Sequence, residues 1–221
     1  PVEVGAYDPP GFASGVSILG DHAYVADRQF GLRVIDISDP ATPAEIGAAD
    51  AMGGAVGVAV DGSFAYVADL SFGLVVVDVA TPTAPSVVGS HATQGSALGV
   101  AVEGSHAYIA DGMSGLQVFD ISDPTEPAPV GVCDTPGSAS SVVIDDGYAF
   151  VADHSFGLRV IDVSDPGRPT EVGEYDLPGN SRDVAVAGNY AYVADGASGI
   201  RVVDVANPIA PAEVGAYDTP D

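Results

Sequence analysis

The sequence predicts an all-β fold, a β-propeller of five four-stranded antiparallel blades of 42 residues each, and three observations carry the prediction. A 42-residue unit recurs five times without insertion, each unit holds four short apolar runs bounded by Gly, Pro, Asp or Ser, and the third run is apolar on both faces. A strand with two apolar faces needs cover on both sides, as small sheets packed around an axis provide. One domain spanning 1–221 follows, with units 9–50, 51–92, 93–134, 135–176 and 177–218.

The unit is read from Tyr-Val-Ala-Asp and its variants, whose aspartate falls at Asp27, Asp69, Asp111, Asp153 and Asp195. In the third unit the runs 98–102, 107–110, 116–122 and 129–133 are strands a to d. The a–b turn is placed at Asp61-Gly62, Glu103-Gly104 or Gly188-Asn189, residues that tolerate positive φ in a two-residue hairpin. Strand c reads Leu-Arg-Val-Ile-Asp-Ile-Ser at 32–38 and recurs with small changes in every unit. Gly31, Gly73, Gly115, Gly157 and Gly199 open it, at a position suited to a positive-φ turn. Asp36, Asp78, Asp120, Asp162 and Asp204 close it, placed to accept backbone N–H groups of the next turn. Paired prolines beginning at Pro40, Pro82, Pro124, Pro166 and Pro208 then form the c–d corner.

Two columns vary together. Arg33, Arg159 and Arg201 occur where Glu45, Glu171 and Glu213 follow, whereas Val75 and Gln117 are followed by Val87 and Pro129. An exposed cross-strand Arg–Glu pair, worth about 0.2–1 kcal/mol, is expected between strands c and d.

Strand c, with Tyr-Val-Ala-Asp before it and Asp-Pro-x-x-Pro after it, resembles the LVIVD repeat family over essentially the whole chain, and the period is similar to that of YVTN propeller repeats. The resemblance implies a propeller of secreted or surface-anchored bacterial and archaeal proteins, and brings no catalytic motif.

Segment 1–8 nearly repeats 211–218, so the chain holds one outer d strand more than five blades need. It is expected to fray, to belong to a neighbouring blade of a longer parent chain, or to add to another molecule as a strand. Pro1 opens within a strand-like stretch without initiator Met or signal peptide, as in a processed or excised chain.

Composition narrows function further. Thirty-one acidic residues face six arginines and no lysine, for a net charge of -25, which disfavours nucleic acid and anionic membranes as partners. No apolar run approaches a membrane span. Such acidity suits a cell exterior rich in calcium, a high-salt milieu, or a GC-rich genome. Cys133 is the only cysteine and forms no intrachain disulfide.

Function is expected at the end bearing the b–c and d–a loops, the least repetitive stretches. Phe12, Arg28, Phe30, Met52, Phe72, Met113, His154, Phe156, Asn180 and Arg182 are the candidate ligand-binding residues there. The phenylalanines also suit a packing role, plugging adjoining blades. The column Asp27, Asp69, Asp111, Asp153, Asp195 has two readings, a turn cap and a Ca²⁺ site. No nucleophile elbow, zinc spacing or phosphate loop occurs, so a non-enzyme is expected. The leading reading is an extracellular or cell-surface module that binds a protein or glycan. The alternatives are an assembly subunit linked through the duplicated strand, and an enzyme using His154, Asp153 and Arg182.

Overall fold

The computed structural model describes residues 2–50 and 53–219. Five sheets of four antiparallel strands follow one another along the chain. The first blade is β1 (Ala13–Leu19), β2 (His22–Asp27), β3 (Gly31–Asp36) and β4 (Ala44–Ala49), and the second β5 (Ala55–Asp61), β6 (Phe64–Asp69), β7 (Gly73–Asp78) and β8 (Ser86–His91). The third is β9 (Gly99–Glu103), β10 (His106–Ala110), β11 (Leu116–Asp120) and β12 (Ala128–Cys133). The fourth is β13 (Ser141–Asp145), β14 (Tyr148–Ala152), β15 (Leu158–Asp162) and β16 (Thr170–Tyr175). The fifth is β17 (Asp183–Ala187), β18 (Tyr190–Ala194), β19 (Ile200–Asp204) and β20 (Ala212–Tyr217), with a short 3₁₀ turn at Gly196–Ser198.

Local chemistry sets the strand ends. In the third unit strand c stops at Asp120 rather than at 122, because the Asp120 carboxylate accepts the Ser122 N–H at 2.8 Å and Ile121 N–H bonds to Ser105 O. The same carboxylate-to-turn bond recurs at Asp36, Asp78, Asp162 and Asp204. The side chain and the backbone N–H of the serine two residues on together hold the Asp36, Asp120 and Asp162 carboxyls below their ordinary range. Asp61 pairs with Phe64 and Glu103 with His106, so those hairpins turn on Gly62-Ser63 and Gly104-Ser105, one residue later than expected. Glycine then occupies the first turn position, with φ of 55° and 58°, as type II′ geometry requires. Only Asp146-Gly147 has positive φ at both residues, the type I′ pattern.

Apolar clusters fill the four spaces between successive blades. In the first, Tyr24, Leu32 and Val34 of blade one meet Val58, Val60, Val67 and Val77 of blade two. The two faces of strand c thus serve two different interfaces, which is why both are apolar. None of these clusters joins blade five to blade one. Tyr24 and Leu32 are 3% and 0% exposed, whereas their equivalents Tyr192 and Ile200 are 41% and 40% exposed. The five blades form an open arc.

Segment 2–9 carries no strand, unlike the outer d strand expected of 1–8. No strand c lies beside it to supply a ladder, yet it occupies a d-strand place. A Cβ built on Gly5 would lie 2.2 Å from Pro40 O, as one on Gly47 would lie 2.1 Å from Pro82 O and one on Gly89 2.2 Å from Pro124 O. Each is the approach of a d strand to the c–d corner of the following blade. Tyr7 also donates its hydroxyl to Glu45 of blade one, which pushes the phenol up to about 12. β20 completes its own blade, and beyond it Gly215 meets only Val202 of the same sheet.

Candidate functional site at the loop-bearing end

The b–c and d–a loops emerge together because they are hydrogen-bonded to each other. Arg28 N–H donates to Phe12 O and Leu70 N–H to Gly54 O, within one unit. In blades three and four the bonds cross to the next unit, pairing Gly112 with Ala139 and His154 with Ser181. His154 stands in the column of Gly112 and Gly196 and shares their backbone, with φ of 50° against 57° and 59°. For a non-glycine residue that conformation is uncommon, and it sets His154 apart from its surroundings.

The aspartate column lies directly beneath these loops. All five carboxylates are fully buried, each in its own blade. Asp27 accepts from Gly11, Phe12 and Gln29 N–H, and Asp69 from Gly54, Ser71 and Phe72 N–H. Asp111 and Asp153 each accept a threonine hydroxyl and a glycine N–H, from Thr93 and Gly95 and from Thr135 and Gly137. Asp195 accepts from Gly179 N–H and Ser181 Oγ. One carboxylate therefore ties the d–a loop to the end of strand b in every blade. Burial pushes Asp111 and Asp153 up, against the pull of these donors. Among the described residues no three His, Cys, Asp or Glu groups converge as a metal would need.

The Arg–Glu pairs form, at 3.5 Å for Arg33–Glu45, 3.6 Å for Arg159–Glu171 and 3.7 Å for Arg201–Glu213. They are not the exposed pairs expected, since the arginines run under the loops and Arg159 is only 2% exposed. A c–d bulge draws the glutamate inward, so that Ile35, Ile161 and Val203 face it in register. The guanidinium also meets the carboxylate of Asp50, Asp176 or Asp218 at the end of strand d. Arg33 and Arg159 donate to the carbonyls of Phe30 and Phe156 and lie 5.6 and 5.8 Å from those rings. Gln117 makes the corresponding bond to Ser114 O at 2.9 Å.

Phe30, Phe72 and Phe156 stand outside the apolar clusters between blades. Each ring lies over the glycine of its own d–a loop, Gly11, Gly53 or Gly137, and leaves one side to solvent. Phe12 and Met113 are more exposed still, at 72% and 79%. Arg28 and Asn180 are exposed beside them, and His154 is half-buried. Met52 lies outside the described residues. The candidates share one end of the molecule but spread along the arc rather than around a single pocket.

Arg182 lies elsewhere, on the wall of a central cavity of about 480 Å³ lined by the a strands of all five blades. His154 pairs through its backbone with Ser181, the neighbour of Arg182, but is not among the residues that line the cavity. The cavity was not foreseen from the sequence. Its signal is the column Gly15, Gly57, Gly99, Ser141, Asp183, which changes from glycine to polar residues along the arc. A Cβ at Gly57 would sit 3.0 Å from Leu98 O, so glycine permits close strand approach there, while Ser141 Oγ donates to Asp183 at 2.6 Å.

Solved structures share this architecture. The computationally designed Ika8 protein overlays with a TM-score of 0.74 at 10% identity, over 94% of this chain and 62% of its own. The computationally designed Ika4 protein overlays with a TM-score of 0.58 at 12% identity, over 72% of this chain and 96% of its own. The chain thus spans about three-fifths of the length of Ika8, and identities this low speak for the fold alone. No curated protein matches in sequence. The model of the LVIVD repeat matches residues 10–51, 52–93, 94–135, 136–177 and 178–219, which are the five blades in succession. With every unit matched and each folded into one four-stranded blade, the chain belongs to the LVIVD repeat family.

Proposed function

We propose that this propeller is a non-catalytic binding module of the cell exterior, which engages a protein or glycan through its loop-bearing end. The observation that carries the reading is the row of apolar side chains Phe12, Phe30, Phe72, Met113 and Phe156, exposed on loops whose backbones are anchored from below. Exposed aromatics on a rigid scaffold bind at small entropic cost, and stacking on sugar rings or packing in a partner's pocket both use such faces. Arg28, His154 and Asn180 supply polar groups between them. The buried aspartates support the face rather than form part of it, so Ca²⁺ enters this reading only as a ligand-linked or surface ion.

The test is a screen of the immobilised chain against a glycan array and a panel of extracellular proteins, with Ca²⁺ and then with a chelator. Phe12→Ser with Met113→Ser should weaken any hit at least about tenfold, or about 1.4 kcal/mol, without moving the melting temperature. A hit that survives both substitutions unchanged would remove the loop face from the binding site. Dependence of the hit on Ca²⁺ would give the ion a place in recognition.

A further inference from the structure

All six arginines of the chain lie in the first, fourth and fifth units, and there is no lysine. Units two and three, residues 51–134, therefore hold nine carboxylates and neither lysine nor arginine. Their two blades pack against a neighbour on either side. Two of the nine carboxylates, Asp69 and Asp111, are fully buried beneath the loops, and the place that Arg159 holds beside Asp153 is taken by Val75 and Gln117. Their donors are backbone N–H groups and the Thr93 hydroxyl, dipoles that leave the net charge in place for the surface above to feel. In blades one, four and five the aspartate at the end of strand d is tied to arginine, as Asp50, Asp176 and Asp218. Its equivalent in blade three, Asp134, is exposed and has Gln117 in its blade instead. Asp134 borders the b–c loop of that blade, where a Cβ built on Gly115 would lie 2.9 Å from Asp134 Cα. Over this negative field stand Leu70, Phe72 and Met113, exposed at 39%, 48% and 79%.

We infer that the loops of blades two and three receive a basic, amphipathic stretch of polypeptide. Its apolar side chains pack on Leu70, Phe72 and Met113, while its lysines or arginines meet Asp134 and the field of Asp69 and Asp111. This rests on the loop-bearing end being the binding face, and it names the partner that the middle of that face fits. The apolar residues choose polypeptide over glycan. A sugar ring stacks on a flat aromatic face, and of the three only Phe72 offers one. Leu70 and Met113 suit the apolar side chains of a peptide, methionine above all, because its unbranched thioether moulds to different shapes. The charge then selects among polypeptides. A basic segment is drawn to blades two and three and meets no lysine or arginine there, whereas an acidic segment meets carboxylates alone. A second copy of this chain, with six arginines against 31 acidic residues, is repelled.

Fluorescence anisotropy with short labelled synthetic peptides, at moderate salt, tests the inference. One peptide alternates pairs of lysine and leucine, a second has glutamate for lysine, and a third has serine for leucine. The first should bind at least about tenfold more tightly than either of the others, and more weakly as salt rises. Leu70→Ser with Met113→Ser should weaken it at least about tenfold with no change in net charge. Asp134→Lys should weaken it severalfold. Glu126→Lys makes the same change of charge in the exposed c–d corner of blade three, at the opposite end, and should alter binding by less than about twofold. A melting curve for each variant confirms that it folds, and Asp134→Asn and Glu126→Gln replace the lysine variants if either does not. A lysine–leucine peptide that fails to bind, or binds no better than the other two, overturns the inference. Binding indifferent to Leu70→Ser with Met113→Ser also overturns it. So does equal loss from Asp134→Lys and Glu126→Lys, since the attraction is then that of the whole net charge of -25. A glycan hit lost on Phe12→Ser with Met113→Ser, with no peptide bound, overturns this inference and leaves the loop face as the binding site. If neither peptide nor glycan responds to substitutions in the loops, both readings fall.

Discussion

Arg159→Met measures what a buried arginine contributes to a blade of this family. The guanidinium bonds Glu174, Asp176 and Phe156 O, with Glu171 at 3.6 Å and Asp153 at 4.0 Å. Removing one member of a buried charge network costs about 3–5 kcal/mol. Glu174 and Asp176 are largely exposed and regain water, so the lower end, about 3 kcal/mol, is expected. In a domain of this size that lowers Tm by roughly 6–12 °C, read by thermal and urea unfolding. Arg159→Gln should lose less, since Gln117 shows that an amide keeps the bond to the loop carbonyl. Blade two supplies a sharper control, with Val75, Val87 and Ala92 at the three positions. Arg159→Val with Glu171→Val and Asp176→Ala should recover most of the loss, because the apolar replacement leaves buried only Asp153, which keeps Thr135 and Gly137 as donors just as Asp69 keeps its own in blade two. An Arg159→Met change below about 0.5 kcal/mol would refute the reasoning. So would a triple variant less stable than the single one.

Two further outcomes follow from the same geometry. His154→Gly should raise stability by about 0.5 kcal/mol in urea unfolding, the left-handed backbone costing histidine about 1–2 kcal/mol and glycine's chain entropy returning about 0.5–1; a loss of stability would show that the imidazole itself packs. Stability should pass through a maximum in mild acid. Asp111, Asp153 and Glu171 are pushed up by burial, bind a proton more tightly folded than unfolded, and so stabilise as pH falls toward the unfolded carboxyl range near about 4. Asp36, Asp120 and Asp162 are held low and lose their contribution below that range. Melting curves that decline steadily from neutral pH downward would reverse this assignment.

The blade was legible in the sequence because each of its columns has a local cause. Gly73 needs positive φ, Asp120 caps its own turn, and the prolines after Asp39 and Asp123 prevent strand c from continuing. The Arg–Glu correlation was legible too, but its burial was not. Burial there depends on the c–d bulge and on the loop folded over the guanidinium, and neither is visible in a pairwise count of residues. The aspartate column was seen as one column with two readings. Its bonds to Gly11, Gly54 and Gly95 cross 15 or 16 residues of sequence, a distance over which a turn-forming pattern carries no signal. The aromatic loops were found for a simpler reason, that they depart from the repeat.

The open arc shows where repeat reasoning changes character. A column that recurs five times explains four interfaces and leaves one half-interface at each end, so identical residues are buried core in blade two and exposed surface in blade five. Tyr66 and Tyr192 occupy one column and differ only in having a successor. The surplus outer strand sharpens the point. Segment 2–8 occupies a d-strand place on blade one, and 211–218, which differs from 1–8 at one position, pairs with strand c of blade five as β20. The same residues thus ladder where a strand c lies beside them and do not where none does, so the state of a repeat depends on its neighbours as much as on its own sequence.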